Sequence, residues 1–259
     1  METPGTRRVR LTLHYDGSGF HGWQVQPGVR TVQHELEAAL ARLTTRPVRT
    51  AAAGRTDAGV HATGQVVSFD VPARWQPSEL RRALNAVLPD DVWVAAADEA
   101  PGDFHARFSA TDRGYEYRVG TAETAASPFH RRVCWVMREP LDRLALNRCA
   151  TFLLGEHSFR AFAHAGQEER GDRCTVYESK WWDWQPLGIV YRVRANRFLH
   201  HMVRYLVGTM VDVARGRRPL EDVPGLLESA PGLETSPPAP PHGLFLVHVG
   251  YGNGAAGSG

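Results

Sequence analysis

Lysine is almost absent from this chain. Of its 30 basic residues, only Lys180 is a lysine and the rest are arginine. Arginine's planar fork suits phosphate, but codon composition can produce the same bias. The formal net charge is only +2, so charge alone does not announce a nucleic-acid binder. Cysteine is scarce too: Cys134, Cys149 and Cys174 make an odd number with no C-x-x-C pair. That excludes a disulfide framework and a zinc knuckle and fits free thiols in a reducing compartment. No apolar run approaches the ~20 residues needed to span a bilayer. The first ten residues, METPGTRRVR, lack the apolar core of a signal peptide. The expectation is a soluble, cytoplasmic protein with no membrane partner.

Metal-binding patterns are missing as well. There are 12 histidines but no H-E-x-x-H and no Cys/His spacing typical of zinc. His200 and His201 fall in a stretch that reads as helix, where neighbours point about 100° apart and cannot share an ion. Asp57 and His61 are four apart, a ligand spacing only on a helix, and Gly59 between them argues against one. No metal is expected.

What remains is ordinary globular material: 259 residues, 42% hydrophobic and 22% charged, enough for one large domain or two small ones. Residues 8–15 alternate as a strand does. After a glycine-rich loop, TVQHELEAALARL places Val32, Leu36, Ala39, Leu40 and Leu43 on one helical face, with Thr31 as N-cap. Two strands follow around residues 54–64, then a helix over 77–88 and a strand over 92–97. The order is βαββαβ, the ferredoxin-like split βαβ. The second half runs the same plan. After a strand at 115–119 come a strand at 133–137, a helix at 141–154 with Leu144, Leu146, Cys149 and Leu153 partly buried, and alternating strands at 175–183 and 189–195. A long helix at 199–215, a shorter one at 220–227 and a strand at 244–251 complete it. The expected fold class is α+β: two ferredoxin-like halves, 1–105 and 106–251, with antiparallel sheets merged around a central cleft. The tail 252–259 and the segment 164–172 have little to bury and are expected to be mobile.

Gly17-x-Gly19-x-x-Gly22 matches the dinucleotide fingerprint and follows a strand. That fingerprint needs a helix at once, so that its N-terminus meets the pyrophosphate. Here the helix waits until Thr31, and the element order is wrong for a doubly wound sheet. A dehydrogenase is therefore disfavoured and no cofactor is expected.

The most informative stretch is AAAGRTDAGVHATGQVVSFD, residues 51–70. It reads as strand, tight polar loop, strand. The loop gathers Arg55, Asp57 and His61 among three glycines. A polar surface hairpin has the same composition; a functional loop is the other reading. The nine-residue string GRTDAGVHA decides between them, because it resembles the signature of the tRNA pseudouridine synthase A family. YDGSGFHGWQ, R-F-S-A-T-x-R-x-Y-x-Y at residues 107–117 and F-L-x-x-M-V-R at residues 198–204 are similar to further family motifs. Weaker similarity extends over about residues 8–251; the segment 163–173 departs from the family's pattern.

The resemblance implies a pseudouridine synthase fold and a cofactor-free isomerisation of uridine at positions 38 to 40 of the tRNA anticodon stem-loop. It implies Asp57 as the catalytic residue and Tyr115 as the ring against the target base. It also implies Arg204 as the basic residue whose charge pairs with Asp57, an adjacent guanidinium being what keeps a carboxylate ionised in a dry cleft. Arg55, two residues before Asp57, is expected to steady the flipped-out nucleotide. The clusters Arg7–Arg8–Arg10, Arg81–Arg82, Arg131–Arg132 and Arg215–Arg217–Arg218 are solvated surface by default; on an RNA enzyme they are expected to grip phosphates. Family membership further implies a homodimer with tRNA as partner. The alternative is a non-catalytic RNA-binding protein of the same fold, which would have no need of Asp57.

Overall fold

The structure is a computed structural model describing residues 5–163 and 171–252. Residues 253–259 of the tail, and 164–170 of the segment expected to be mobile, lie outside the described residues. The chain divides into two compact units, Met1–Thr111 with Leu246–Gly259, and Asp112–Phe245.

The first unit runs β1 (Thr6–Tyr15), α1 (Val32–Thr44), β2 (Ala51–Ala52), β3 (His61–Pro72), α2 (Pro77–Asn85) and β4 (Val92–Glu99). β1 lies between β3 and β4, antiparallel to both, and β2 pairs antiparallel with β3. The order 4-1-3-2 is the split βαβ arrangement. β1 buries Val9, Leu11, Leu13 and Tyr15 and turns Arg8, Arg10, Thr12 and His14 the other way. Thr31 caps α1, its hydroxyl accepting from the His34 N–H at 3.4 Å. α2 starts on Pro77 and stops at Asn85, three residues short of the expected end. There the Asn85 side chain leaves to bond both backbone groups of Val94 in β4, and Pro89 forbids much further helix.

β3 departs from expectation. Its alternating sequence predicts one solvated face, yet it is buried on both. Residues after β4 fold back over the second face, where Phe104 and Ala106 pack with Ala53 and Val66, flanked by Val249 and Tyr251. The Ser68 hydroxyl accepts from the Ala106 N–H at 3.0 Å, and the Tyr251 hydroxyl donates to the Ala106 carbonyl at 2.8 Å.

The second unit comprises β5 (Ala110–Gly120), β6 (Trp135–Val136), α3 (Arg143–Phe152), β7 (Gly155–Ser158), β8 (Arg173–Trp184), β9 (Gly188–Ala195), α4 (Met202–Ala214) and α5 (Asp222–Leu227). β10 (Leu244–Tyr251) closes the chain, its first two residues counted here and the rest in the first unit. The strand order is β5-β9-β8-β7, antiparallel throughout. β5 pairs along the whole of β9, so it opens this unit. The strand expected at 133–137 shrinks to the two residues of β6, parallel to the end of β5. Asp142 caps α3 by accepting from the N–H groups of Leu144 and Ala145. Leu146, Cys149 and Leu153 are buried as expected, but Leu144 is 69% exposed. It lies two residues from Leu146, about 200° around the helix.

α4 is shorter than the sequence pattern. His201 takes a left-handed conformation at φ 62° and the helix begins after it. The apolar pattern of Leu199, Met202, Val203, Leu206, Val207 and Met210 is buried, with Leu199 now ahead of the helix, and so are Gly208 and Thr209. A strap at residues 236–240 covers that side, with the Ser236 N–H donating to the Thr209 hydroxyl at 3.3 Å.

The cover over β3 yields a stability prediction. Phe104→Ala should cost about 3–5 kcal/mol, read as a lower midpoint in urea denaturation. A loss under about 1 kcal/mol would mean that this face does not depend on the ring.

Candidate active site

The loop carrying Asp57 leaves the sheet where the β2–β3 ladder ends, the Ala53 N–H making its last bond to the Val66 carbonyl at 2.8 Å. From there other main chain holds it. The Trp23 N–H donates to the Thr56 carbonyl at 3.0 Å, and the Gly59 N–H to the Phe20 carbonyl at 3.3 Å. Inside the loop the Val60 N–H closes a turn on the Asp57 carbonyl at 3.1 Å, with Gly59 at φ 78°. Side chains add to this. Gln65 Nε2 donates to the Gly54 carbonyl at 2.7 Å, and the Tyr15 and Thr56 hydroxyls share a bond of 2.8 Å. Asp57 is half-buried, Arg55 exposed. His61, grouped with them in the sequence, is buried at the start of β3, its Nδ1 accepting from the Gly17 N–H at 3.1 Å.

The partner loop, residues 16–30, explains the G-x-G-x-x-G pattern. A Cβ on Gly17 would lie 2.0 Å from the Val60 carbonyl oxygen, and one on Gly22 would lie 2.6 Å from that of Thr56. Gly22 also sits at φ 87°. These glycines let two backbones touch; they do not cradle a pyrophosphate. Arg30 braces this loop. It binds Asp91 through two nitrogens at 2.6 and 2.9 Å, reaches Glu35 at 2.8 Å and stacks on the Phe20 ring. The bond to Asp91 raises the Arg30 guanidinium above its usual range, outweighing partial burial.

The second unit carries the other two expected residues. Tyr115 in β5 is half-buried, edge-on to Phe198 at 4.9 Å. Tyr117 shares its face, as the alternation implies, but is fully buried and donates to the Pro240 carbonyl at 2.8 Å. Burial pushes its hydroxyl well up, with the charge of nearby Arg204 acting the other way. Arg204 lies in the first turn of α4 and is tied twice to the strap. Its Nε donates to the Ala239 carbonyl at 2.8 Å, and the Ala239 N–H donates to the Arg204 carbonyl at 2.9 Å.

Two expectations need correction. His200 and His201 precede α4 instead of lying within it, and their ring centroids are 3.9 Å apart, so the helical argument against a shared ion falls. Two of the four arginine clusters are also less available than expected. Arg7, Arg8 and Arg10 pair with Glu99, Asp70 and Asp98. Arg215 and Arg217 pair with Glu139, and Arg218 with Asp222. Sequence reasoning missed Tyr15, Thr56, Gln65 and Arg30. The first three carried one signal, polar atoms in or beside strands that are otherwise apolar. Among the described residues no helix is long and apolar enough to cross a membrane.

Two split βαβ units, one of them presenting a clamped Arg-Thr-Asp loop, define an α+β protein of the pseudouridine synthase class. The family model described as tRNA pseudouridine synthase matches residues 12–109 and 149–252, and the chain belongs to this family of isomerases. A relative named tRNA pseudouridine synthase A from Moorella thermoacetica is 43% identical over 245 residues, covering 94% of this chain and 99% of its own. Relatives of the same name from Anoxybacillus flavithermus and Chlorobium limicola are 41% and 42% identical, each over 95% of this chain and all of their own.

Gly17→Ala tests the contact between the loops. The added methyl must push the two backbones apart, at a cost of about 1–3 kcal/mol. The expected result is a lower melting temperature together with a fall in turnover; unchanged turnover would show that the Asp57 loop does not lean on residue 17.

Proposed function

We propose that this chain, a tRNA pseudouridine synthase by family, acts on uridines 38 to 40 of the anticodon stem-loop with Asp57 as its nucleophile. The observation that carries the reading is the clamped loop. A nucleophile gains most when it is held in one attacking geometry, and Asp57 follows a residue fixed through both its carbonyl and its hydroxyl.

The reaction is an isomerisation in which nothing is gained or lost overall. The N1–C1′ bond breaks, the uracil turns, C5 bonds to C1′, and the C5 proton passes to solvent while N1 takes one up. Asp57 attacks either C1′ or C6. Arg204 supplies the guanidinium that keeps the carboxylate ionised. Its anchor on Ala239 supports this role, because an arginine fixed through Nε directs its remaining nitrogens. Tyr115 stacks on the uracil and helps move the C5 proton; its half-exposed ring, braced by Phe198, supports that. Arg55, exposed on the same loop, steadies the extruded nucleotide, whose flipping costs a few kcal/mol. No cofactor takes part. The enzyme works in the cytoplasm as a homodimer, one tRNA spanning both subunits. The domain boundaries near 105 and 251 are part of the same reading.

The test is tritium release from tRNA labelled at C5 of uridine, with pure protein and no added cofactor. The wild-type chain should release label to water. Asp57→Ala should reduce release to background while tRNA binding persists. Release at the normal rate by that variant would overturn the assignment of Asp57, and absence of release by the wild type would overturn the reading as a whole. Mapping the modified positions in bulk tRNA tests the choice of uridines 38 to 40.

A further inference from the structure

We propose that Tyr15 is a positioning residue for Asp57, acting through the hydroxyl of Thr56, with Gln65 bracing the same arm of the loop. The proposal rests on Asp57 being the nucleophile.

Tyr15, Thr56 and Gln65 are 4%, 7% and 0% exposed. A hydroxyl or amide in such a place costs free energy unless it is hydrogen-bonded. Apolar side chains of similar volume would fill the space without that cost, so packing alone does not account for three polar groups here. Their contacts share one target. Tyr15 meets the Thr56 hydroxyl at 2.8 Å, and Gln65 holds the Gly54 carbonyl at 2.7 Å. Gln65 Nε2 also lies 3.5 Å from the Tyr15 oxygen, closing the group. The bonds from Tyr15 and Gln65 to the loop fall on Thr56 and Gly54, beyond the last β2–β3 ladder bond and just before Asp57. The hairpin is already made by the ladder, so these bonds fix the arm that projects from it. With the Trp23 N–H on its carbonyl, Thr56 is pinned at two points. A change in its ψ would swing Asp57 directly.

The group is also electrically quiet. Burial pushes the Tyr15 hydroxyl up to about 12, even though its bonds to Thr56 and Gln65 act in the opposite sense. It therefore stays neutral wherever a carboxylate nucleophile works, and it can orient the loop without changing the charge beside it.

The test separates orientation from folding. Tyr15→Phe removes one oxygen and keeps the ring; Thr56→Val removes the partner hydroxyl at the same volume. Each single variant leaves a buried polar atom without its partner, and the double variant removes both atoms. Stability should therefore fall in each single variant and recover in the double. Positioning predicts a different pattern for catalysis. The single-turnover rate at saturating enzyme should fall about ten- to a hundredfold in both single variants and stay low in the double. The tRNA dissociation constant should hold within about twofold throughout. Thr56→Ser, which keeps the hydroxyl, should regain most of the rate. The proposal is overturned if the double variant recovers rate along with stability, or if either single variant turns over at the wild-type rate. All of this is measured on a chain whose wild type releases tritium and whose Asp57→Ala variant does not, so failure here is distinct from failure of the assignment of Asp57.

Discussion

The contact on which the rest depends is main chain against main chain, between the loop after β1 and the loop before β3. Where two backbones meet this closely there is no space for a Cβ, and the carbonyls and N–H groups on each side must find one another. They do so between Trp23 and Thr56 and between Phe20 and Gly59. Such bonds do not vary with rotamer, so a residue set on them inherits the precision of the sheet. Asp57 follows directly on one of these bonds, so its place is set by main chain. The Arg30–Asp91 pair extends the same rigidity sideways, tying the first loop to the start of β4.

The second unit fixes a charged side chain with a different element. Arg204 has a long side chain of high rotamer entropy, and a guanidinium left to itself would sample many positions. Its Nε is held by the Ala239 carbonyl, and the strap bearing that carbonyl is fixed by its own bonds. Thr209 accepts from Ser236, Arg218 reaches Ser236 and the Glu234 carbonyl, and Tyr117 donates to the Pro240 carbonyl. In both units, then, main-chain groups support the charged residue. The Arg7–Glu99, Arg8–Asp70 and Arg143–Asp183 ion pairs lie on partly exposed surface, where each contributes little.

How much of this could be read from the sequence follows from the range of the forces involved. Local signals were legible. Thr31 caps α1, and the period-2 run of β1 is a strand with one buried face. The Asp57 loop stood out because a string of unlike chemistries at fixed spacing has few explanations. Long-range cover was not legible. β3 looked half-solvated because its second lid comes from residues near 104 and from near the C-terminus. The length of α4 was misjudged because a left-handed residue, His201, sits inside an apolar pattern with no glycine to mark it. The 133–137 stretch has the composition of a strand, but β5 already supplies β9 with a full-length partner, leaving only two residues to pair.

The misleading motif is the clearest case of that limit. Gly17-x-Gly19-x-x-Gly22 and a dinucleotide fingerprint use glycine for the same physical property, close approach to a backbone. They differ in what approaches: a pyrophosphate in one, a second loop of the same chain in the other. The pattern alone does not distinguish them, because the spacing records how tightly the loop is packed and not what packs on it. The delay of the helix and the element order disfavour the ligand from sequence, and the Val60 and Thr56 carbonyls show what occupies its place. Glycines in such a loop therefore mark where another surface comes close, and the chemistry has to be read from that surface, here the one that ends in Asp57.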